Sequence, residues 1–66
     1  MKNTLKVERA INNLTQDELA KRIGVSRQTI NSIEKNRYVP STLLVLKLSE
    51  VFDKPVNEFF KLEETD

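Results

Sequence analysis

Arg27, Gln28, Asn31 and Ser32 stand close together in the stretch "GVSRQTINSIEKN", residues 24 to 36. Their spacing puts them on one face of a helix, since residues three and four apart are surface neighbours there. An arginine fork donates two parallel hydrogen bonds, and the carboxamides of Gln and Asn donate and accept at once. Guanine and adenine edges in a major groove take those pairings. No carboxylate lies among the four, so phosphate would not be repelled. Lys35, Asn36 and Arg37 follow after Ile33 and Glu34. This is the chemistry of hydrogen bonding and charge neutralisation rather than of bond making. The chain has no histidine and no cysteine, which removes imidazole and thiol metal ligands, disulfides, cysteine nucleophiles and the usual general base. No catalytic residue, metal site or cofactor is expected.

Such a face needs a helix anchored from behind, and Ile30 and Ile33 supply the inward side. Gly24 is the single glycine of the chain. It separates two helical patterns, because glycine reaches positive φ without steric cost. Before it, Thr15 and Glu18 have the spacing of a capping box and start a second helix with Leu19, Ala20 and Ile23 inward. After it, Ser26 is placed as an N-cap for the third helix. A break of about three residues makes the two axes cross steeply, the geometry of a helix-turn-helix. Ala20 is small enough to let the third helix approach, with Val25 anchoring it from beneath.

The rest of the chain supports this unit. Leu5, Val7 and Ile11, with Leu14 beyond, mark a first helix ending near Asn12–Asn13. Asn36 is placed to end the third helix, and residues 37 to 40 read as loop, with Tyr38 a packing residue. Ser41 caps a fourth helix over residues 42 to 52, where Leu44, Leu48, Val51 and Phe52 share a face. Pro55 opens a short fifth helix through Phe59. Residues 60 to 63 alternate weakly like a strand, with residues 1 to 4 as candidate partner. The expected fold is therefore all-α: five short helices in one domain of residues 1–66, the helix-turn-helix unit at 15–36, and a small pairing of the two ends.

With 66 residues there is room for one small core. No apolar run approaches the length of a membrane span, and no secretory signal is visible, so a cytoplasmic location with no membrane partner is expected. Net charge is +1. Residues 1 to 55 carry ten Lys/Arg against six Asp/Glu, whereas residues 56 to 66 carry one against four. A basic body with an acidic tail permits a polyanionic partner without requiring one.

The stretch "LTQDELAKRIGVSRQTINSIEKNRYVPS" resembles the phage repressor/Cro (Xre-type) helix-turn-helix domain, and the likeness runs from about Leu5 to Phe60. Gln16, Leu19, Ala20, Gly24, Val25, Ser26, Gln28, Thr29, Ile30, Ile33 and Glu34 carry it. The resemblance implies a lambda-repressor-like domain in a compact prokaryotic transcriptional regulator that binds double-stranded DNA. By that likeness Arg27, Gln28, Asn31 and Ser32 face bases. Gln16, Ser26, Lys35, Asn36 and Arg37 meet phosphate, and Gln16 also braces the first turn of the third helix. Arg9 is implied to pair with Glu34 as a structural ion pair. Glu8, Thr42 and Ser49 depart from commonly apolar positions, while Asn13 and Asn36 stand for commonly seen glycines.

Leu43, Leu46, Phe60 and Leu62 lie away from the polar face and are candidates for a two-fold contact. A homodimer would set two reading helices about 34 Å apart, matching one turn of DNA. The expected function is repression through a pseudo-palindromic operator, with no small-molecule ligand evident. The rival is a protein-interaction module, antitoxin-like, whose DNA binding is secondary.

Overall fold

The computed structural model describes residues 1–66. Strand β1 (Lys2–Asn3) leads into helices α1 (Leu5–Ile11), α2 (Gln16–Ile23), α3 (Arg27–Glu34) and α4 (Thr42–Phe52). A 3₁₀ turn, Val56–Glu58, and strand β2 (Phe60–Lys61) complete the chain. There are four α-helices rather than the five expected. Pro55 is extended, at φ −62° and ψ 149°, and caps a single 3₁₀ turn. Only three residues separate that proline from Phe59, too few for i to i−4 hydrogen bonds to accumulate. The expected pairing of the ends is present as an antiparallel ladder, Lys2 opposite Lys61 and Asn3 opposite Phe60. No helix is long and apolar enough to cross a membrane.

Helix starts follow from hydroxyls in the sequence. The Thr15 side chain accepts from Glu18 N at 3.0 Å while Glu18 Oε1 accepts from Thr15 N at 3.0 Å, closing the capping box. That hydrogen bond from the Thr15 backbone holds the Glu18 carboxyl below the usual carboxylate range. Ser26 Oγ accepts from Thr29 N, and Ser41 Oγ from Leu44 N. Helix ends follow from residues that tolerate positive φ. Gly24 sits at φ 74° after α2, Asn36 at 58° after α3, Asp53 at 53° after α4, and Asn13 at 54° in the α1–α2 turn. A Cβ built on Gly24 would meet nothing within 4 Å. Backbone conformation, not space, therefore demands glycine there.

The core gathers Leu5, Leu14, Leu19, Ala20, Ile23, Ile30, Ile33, Leu48, Phe52, Phe59 and Phe60. Phe52 and Phe59 meet edge to face with centroids 5.3 Å apart, the arrangement that ring quadrupoles favour. Val25 packs against this core, half-buried, and Leu44 and Val51 join Leu48 and Phe52 as expected for one face of α4.

Helix α1 departs from the apolar pattern of its sequence. Val7 and Ile11 are exposed, while Glu8 is buried. Leu5 and Glu8, three apart, form the inward stripe, and Val7 and Ile11 lie on the other side of the seven-residue helix. Glu8 is accommodated because Lys54 Nζ lies 2.8 Å from its Oε1 and donates to Oε2 at 3.3 Å. The same contact raises the Lys54 ammonium above its ordinary pKa. Glu8 Oε1 nonetheless has no well-directed hydrogen-bond donor. Ser49, another of the three polar departures, donates from Oγ to the Lys54 carbonyl and fixes the turn after α4.

Because the requirement at Gly24 is conformational, Gly24→Ala should destabilise by about 1–2 kcal/mol. Gly24→Asn should cost less, since asparagine enters the left-handed region more readily. Urea unfolding of the three proteins checks the order.

Candidate nucleic-acid interface

Ile30 and Ile33 are both fully buried. They turn one side of α3 into the core, and the remaining side is what the molecule presents. Arg27, Gln28, Asn31 and Ser32 together line one open depression of about 690 Å³ with no hydrophobic residue in its wall. All four residues expected to share a face do so. Arg27 and Gln28 are exposed, and Asn31 and Ser32 are half-buried. No carboxylate contributes to this surface.

A second depression, of about 440 Å³, continues from the first around the start of α3. Val25, Ser26, Gln28, Thr29, Ser32, Arg37, Tyr38 and Leu44 line it. Ser26 and Arg37, eleven positions apart in sequence, thus border one hollow. Thr29 and Tyr38 join them, and neither was anticipated as a surface residue of this site. Thr29 Oγ1 lies 3.0 Å from Ser26 Oγ, so a hydroxyl three residues after an N-cap serine was the available sign. Tyr38 is 44% exposed, so it is only partly the packing residue expected. Lys35 and Asn36 are exposed beside Arg37 in the α3–α4 loop, where Lys35 caps α3 and Asn36 carries the positive φ.

The helix is held in place by charge. Arg9 Nε donates to Glu34 Oε2, and Arg9 Nη2 donates to Glu34 Oε1 at 3.1 Å. Arg9 Nη1 also donates to the Leu14 carbonyl at 3.0 Å. The implied Arg9–Glu34 pair is therefore present, in the bidentate form that suits a guanidinium and a carboxylate. It neutralises the only carboxylate on α3. Gln16 Nε2 donates to the same Glu34 Oε1 at 3.1 Å. The expectation that Gln16 braces the first turn of α3 is corrected here: its amide engages the last residue of α3. Gln16 and Arg27 do border a common shallow hollow with Arg9, Thr15 and Asp17. Asp17 forms an exposed ion pair with Lys21 at 3.4 Å.

The candidates for a two-fold contact separate. Leu43 is 62% exposed, Leu46 55% and Leu62 81%. Phe60 is only 6% exposed and belongs to the core, because its position opposite Asn3 on β2 turns the ring inward against Phe59. An edge of it still borders an apolar hollow of about 360 Å³ with Met1, Val39, Pro40, Val45, Leu46 and Val56.

Asn3 is the residue that sequence reasoning missed. Its Nδ2 donates at 2.9 Å to both the Ile33 carbonyl and Asn36 Oδ1. Its Oδ1 accepts from Leu5 N at 3.1 Å, capping α1. No local pattern marks it, since these partners lie 30 and 33 positions away.

Removing Arg9 would leave Glu34, itself mostly buried, with a single amide donor. Arg9→Ala should therefore destabilise the fold by about 3–5 kcal/mol. The double variant Arg9→Met/Glu34→Leu should recover much of the loss, as thermal unfolding would register.

Comparison with known proteins agrees with this geometry. The helix-turn-helix family, described by that name, matches residues 5–59. An uncharacterized HTH-type transcriptional regulator of Methanocaldococcus jannaschii is 48% identical over 66 residues, covering both chains completely. The HTH-type regulator YgzD of Bacillus subtilis is 45% identical over 64 residues, 97% of each chain. Among solved structures, the restriction-modification controller protein C.AhdI of Aeromonas hydrophila superposes with a TM-score of 0.76. It is 28% identical and the match covers 85% of each chain. With α2, a Gly24 corner and α3 packed on Ile30 and Ile33, the chain belongs to the Xre-type helix-turn-helix family of transcriptional regulators.

Proposed function

We propose that this protein is a sequence-specific double-stranded-DNA-binding repressor that acts in the cytoplasm as a homodimer on a pseudo-palindromic operator. The observation that carries the reading is the carboxylate-free surface of Arg27, Gln28, Asn31 and Ser32 on a helix anchored by Ile30 and Ile33. An α-helix fits the major groove, and these side chains match its donors and acceptors. Arg27 and Gln28 occupy the first turn, the part of a reading helix that meets base edges.

Affinity and register come from phosphate contacts. Lys35, Asn36 and Arg37 flank the reading helix on the loop, and Ser26 and Thr29 border the same hollow as Arg37. The start of α3 adds its own unpaired N–H groups and a positive dipole end. Gln16 has one amide hydrogen committed to Glu34 and a second for a phosphate oxygen. Asp17 beside it makes the start of α2 the weaker of the two helix ends toward an anion.

One recognition helix touches few base pairs and buries little surface, which favours two copies. Val39 and Leu46 are exposed and line the apolar hollow bordered by Phe60, and Leu43 is exposed on the same helix as Leu46. This patch lies on residues other than those of the polar face, so a second copy can cover it while α3 stays free. Leu62 adds to the same surface in this reading.

Arg27→Ala or Gln28→Ala should each cost about 1–3 kcal/mol in binding and relax preference at one base position. Lys35→Ala should weaken all duplexes alike and reduce the salt slope by about one. Random-duplex selection followed by titration at several salt concentrations checks both, and an Arg27→Ala protein with unaltered affinity and preference would refute the base-reading role. Sedimentation should give a dimer at tens of micromolar, shifted toward monomer by Leu43→Glu/Leu46→Glu.

A further inference from the structure

The two-stranded ladder contains a pair that folding alone does not favour. Lys2 on β1 is directly opposite Lys61 on β2. Residues so paired stand on one face with Cβ atoms about 5 Å apart, and like charges there cost stability. The other face of the ladder is fixed by Phe60, buried, and by Asn3, hydrogen-bonded to Ile33 and Asn36. Both lysines are therefore turned outward, and both are exposed. Neither belongs to any of the ion pairs in the structure. They line one hollow of about 350 Å³ with Asn3, Thr4, Asn36, Glu58 and Phe59. Asn36 is the middle residue of the exposed Lys35–Arg37 loop, and Asn3 Nδ2 ties it to β1 at 2.9 Å.

We propose that Lys2 and Lys61 form a second phosphate clamp that extends the loop's basic surface along the duplex backbone beyond the bases under α3. The inference rests on the DNA-binding reading above and adds a contact outside the helix-turn-helix. Two lysines opposed on one face, neither in an ion pair, are disfavoured in the free protein and relieved by an anion between them. Successive phosphates along a strand supply that anion. Glu58 is the one carboxylate of the hollow, against its two lysines, so the lining keeps a net positive charge.

The test compares wild type, Lys2→Gln/Lys61→Gln and Lys2→Arg/Lys61→Arg on two duplexes, the selected consensus and a scrambled sequence of equal length. For the Gln variant the slope of log K against log salt should fall by up to about 1.8 per chain on both duplexes. Preference for the consensus should stay unchanged, the Arg variant should bind like wild type, and the melting temperature of the Gln variant should hold or rise. An unchanged slope in the Gln variant, an equal loss in the Arg variant, or a loss accompanied by a lowered melting temperature would each overturn the clamp. Failure of the DNA-reading proposal looks different: wild type would then show no preference for any duplex, whatever the lysine variants do.

Discussion

The arrangement depends on a carboxylate inside the protein. Glu34, the last residue of α3, receives hydrogen bonds from Arg9 on α1 and Gln16 at the start of α2. Three helices therefore converge on one buried charge, and none can shift without leaving that charge underpaired. In so small a protein, where the core holds eleven side chains, such a directional constraint does what a larger hydrophobic interior would do by packing alone. It also removes the acidic residue of α3 from the electrostatic surface, leaving the exposed side of that helix neutral to positive.

Around this knot the chain is shaped by short connections whose chemistry is local. Hydroxyl caps begin α2, α3 and α4. Positive-φ residues follow α2, α3 and α4 and sit in the turn after α1. Each choice is worth only about 1 kcal/mol, yet together they fix where each helix points. The side chains of Arg27 and Gln28 consequently begin their helix at an exposed corner. The three aromatic residues of the core, Phe52, Phe59 and Phe60, close the opposite end and carry the terminal strands with them.

The local part of this logic was legible in the sequence. Thr15, Gly24, Ser26, Asn36 and Ser41 announce boundaries through local chemistry, and the spacing of Ile30 and Ile33 settles which side of α3 is outward. What was not legible involves distant partners. Glu8 reads as a surface residue on hydropathy, although the family resemblance marks its position as commonly apolar; what could not be read was its partner Lys54, 46 positions away. Val7 and Ile11 read as core and face water, since a seven-residue helix has room for one inward stripe and Leu5 claims it. Phe60 read as an exposed apolar residue, but strand alternation turns it inward. Asn3 gave no signal. The polar surface of α3 was found because helical periodicity is itself a local rule; the hydrogen bond from Gln16 to Glu34 was missed because that partner lies 18 positions on.

The buried Glu8 carboxylate has a consequence for how freely this chain can change. Its oxygen without a well-directed donor is solvation given up on a side of the molecule that takes no part in the α3 surface. Replacing Glu8 and Lys54 together by aliphatic side chains of similar volume is the kind of exchange that is often neutral or stabilising, whereas replacing Glu8 alone would strand the Lys54 ammonium without its partner. Any gain in stability there is tied to two residues 46 positions apart, neither of which lines the α3 surface. A lineage moving into hotter surroundings would have to change both codons in concert, and could do so without touching the exposed residues of α3.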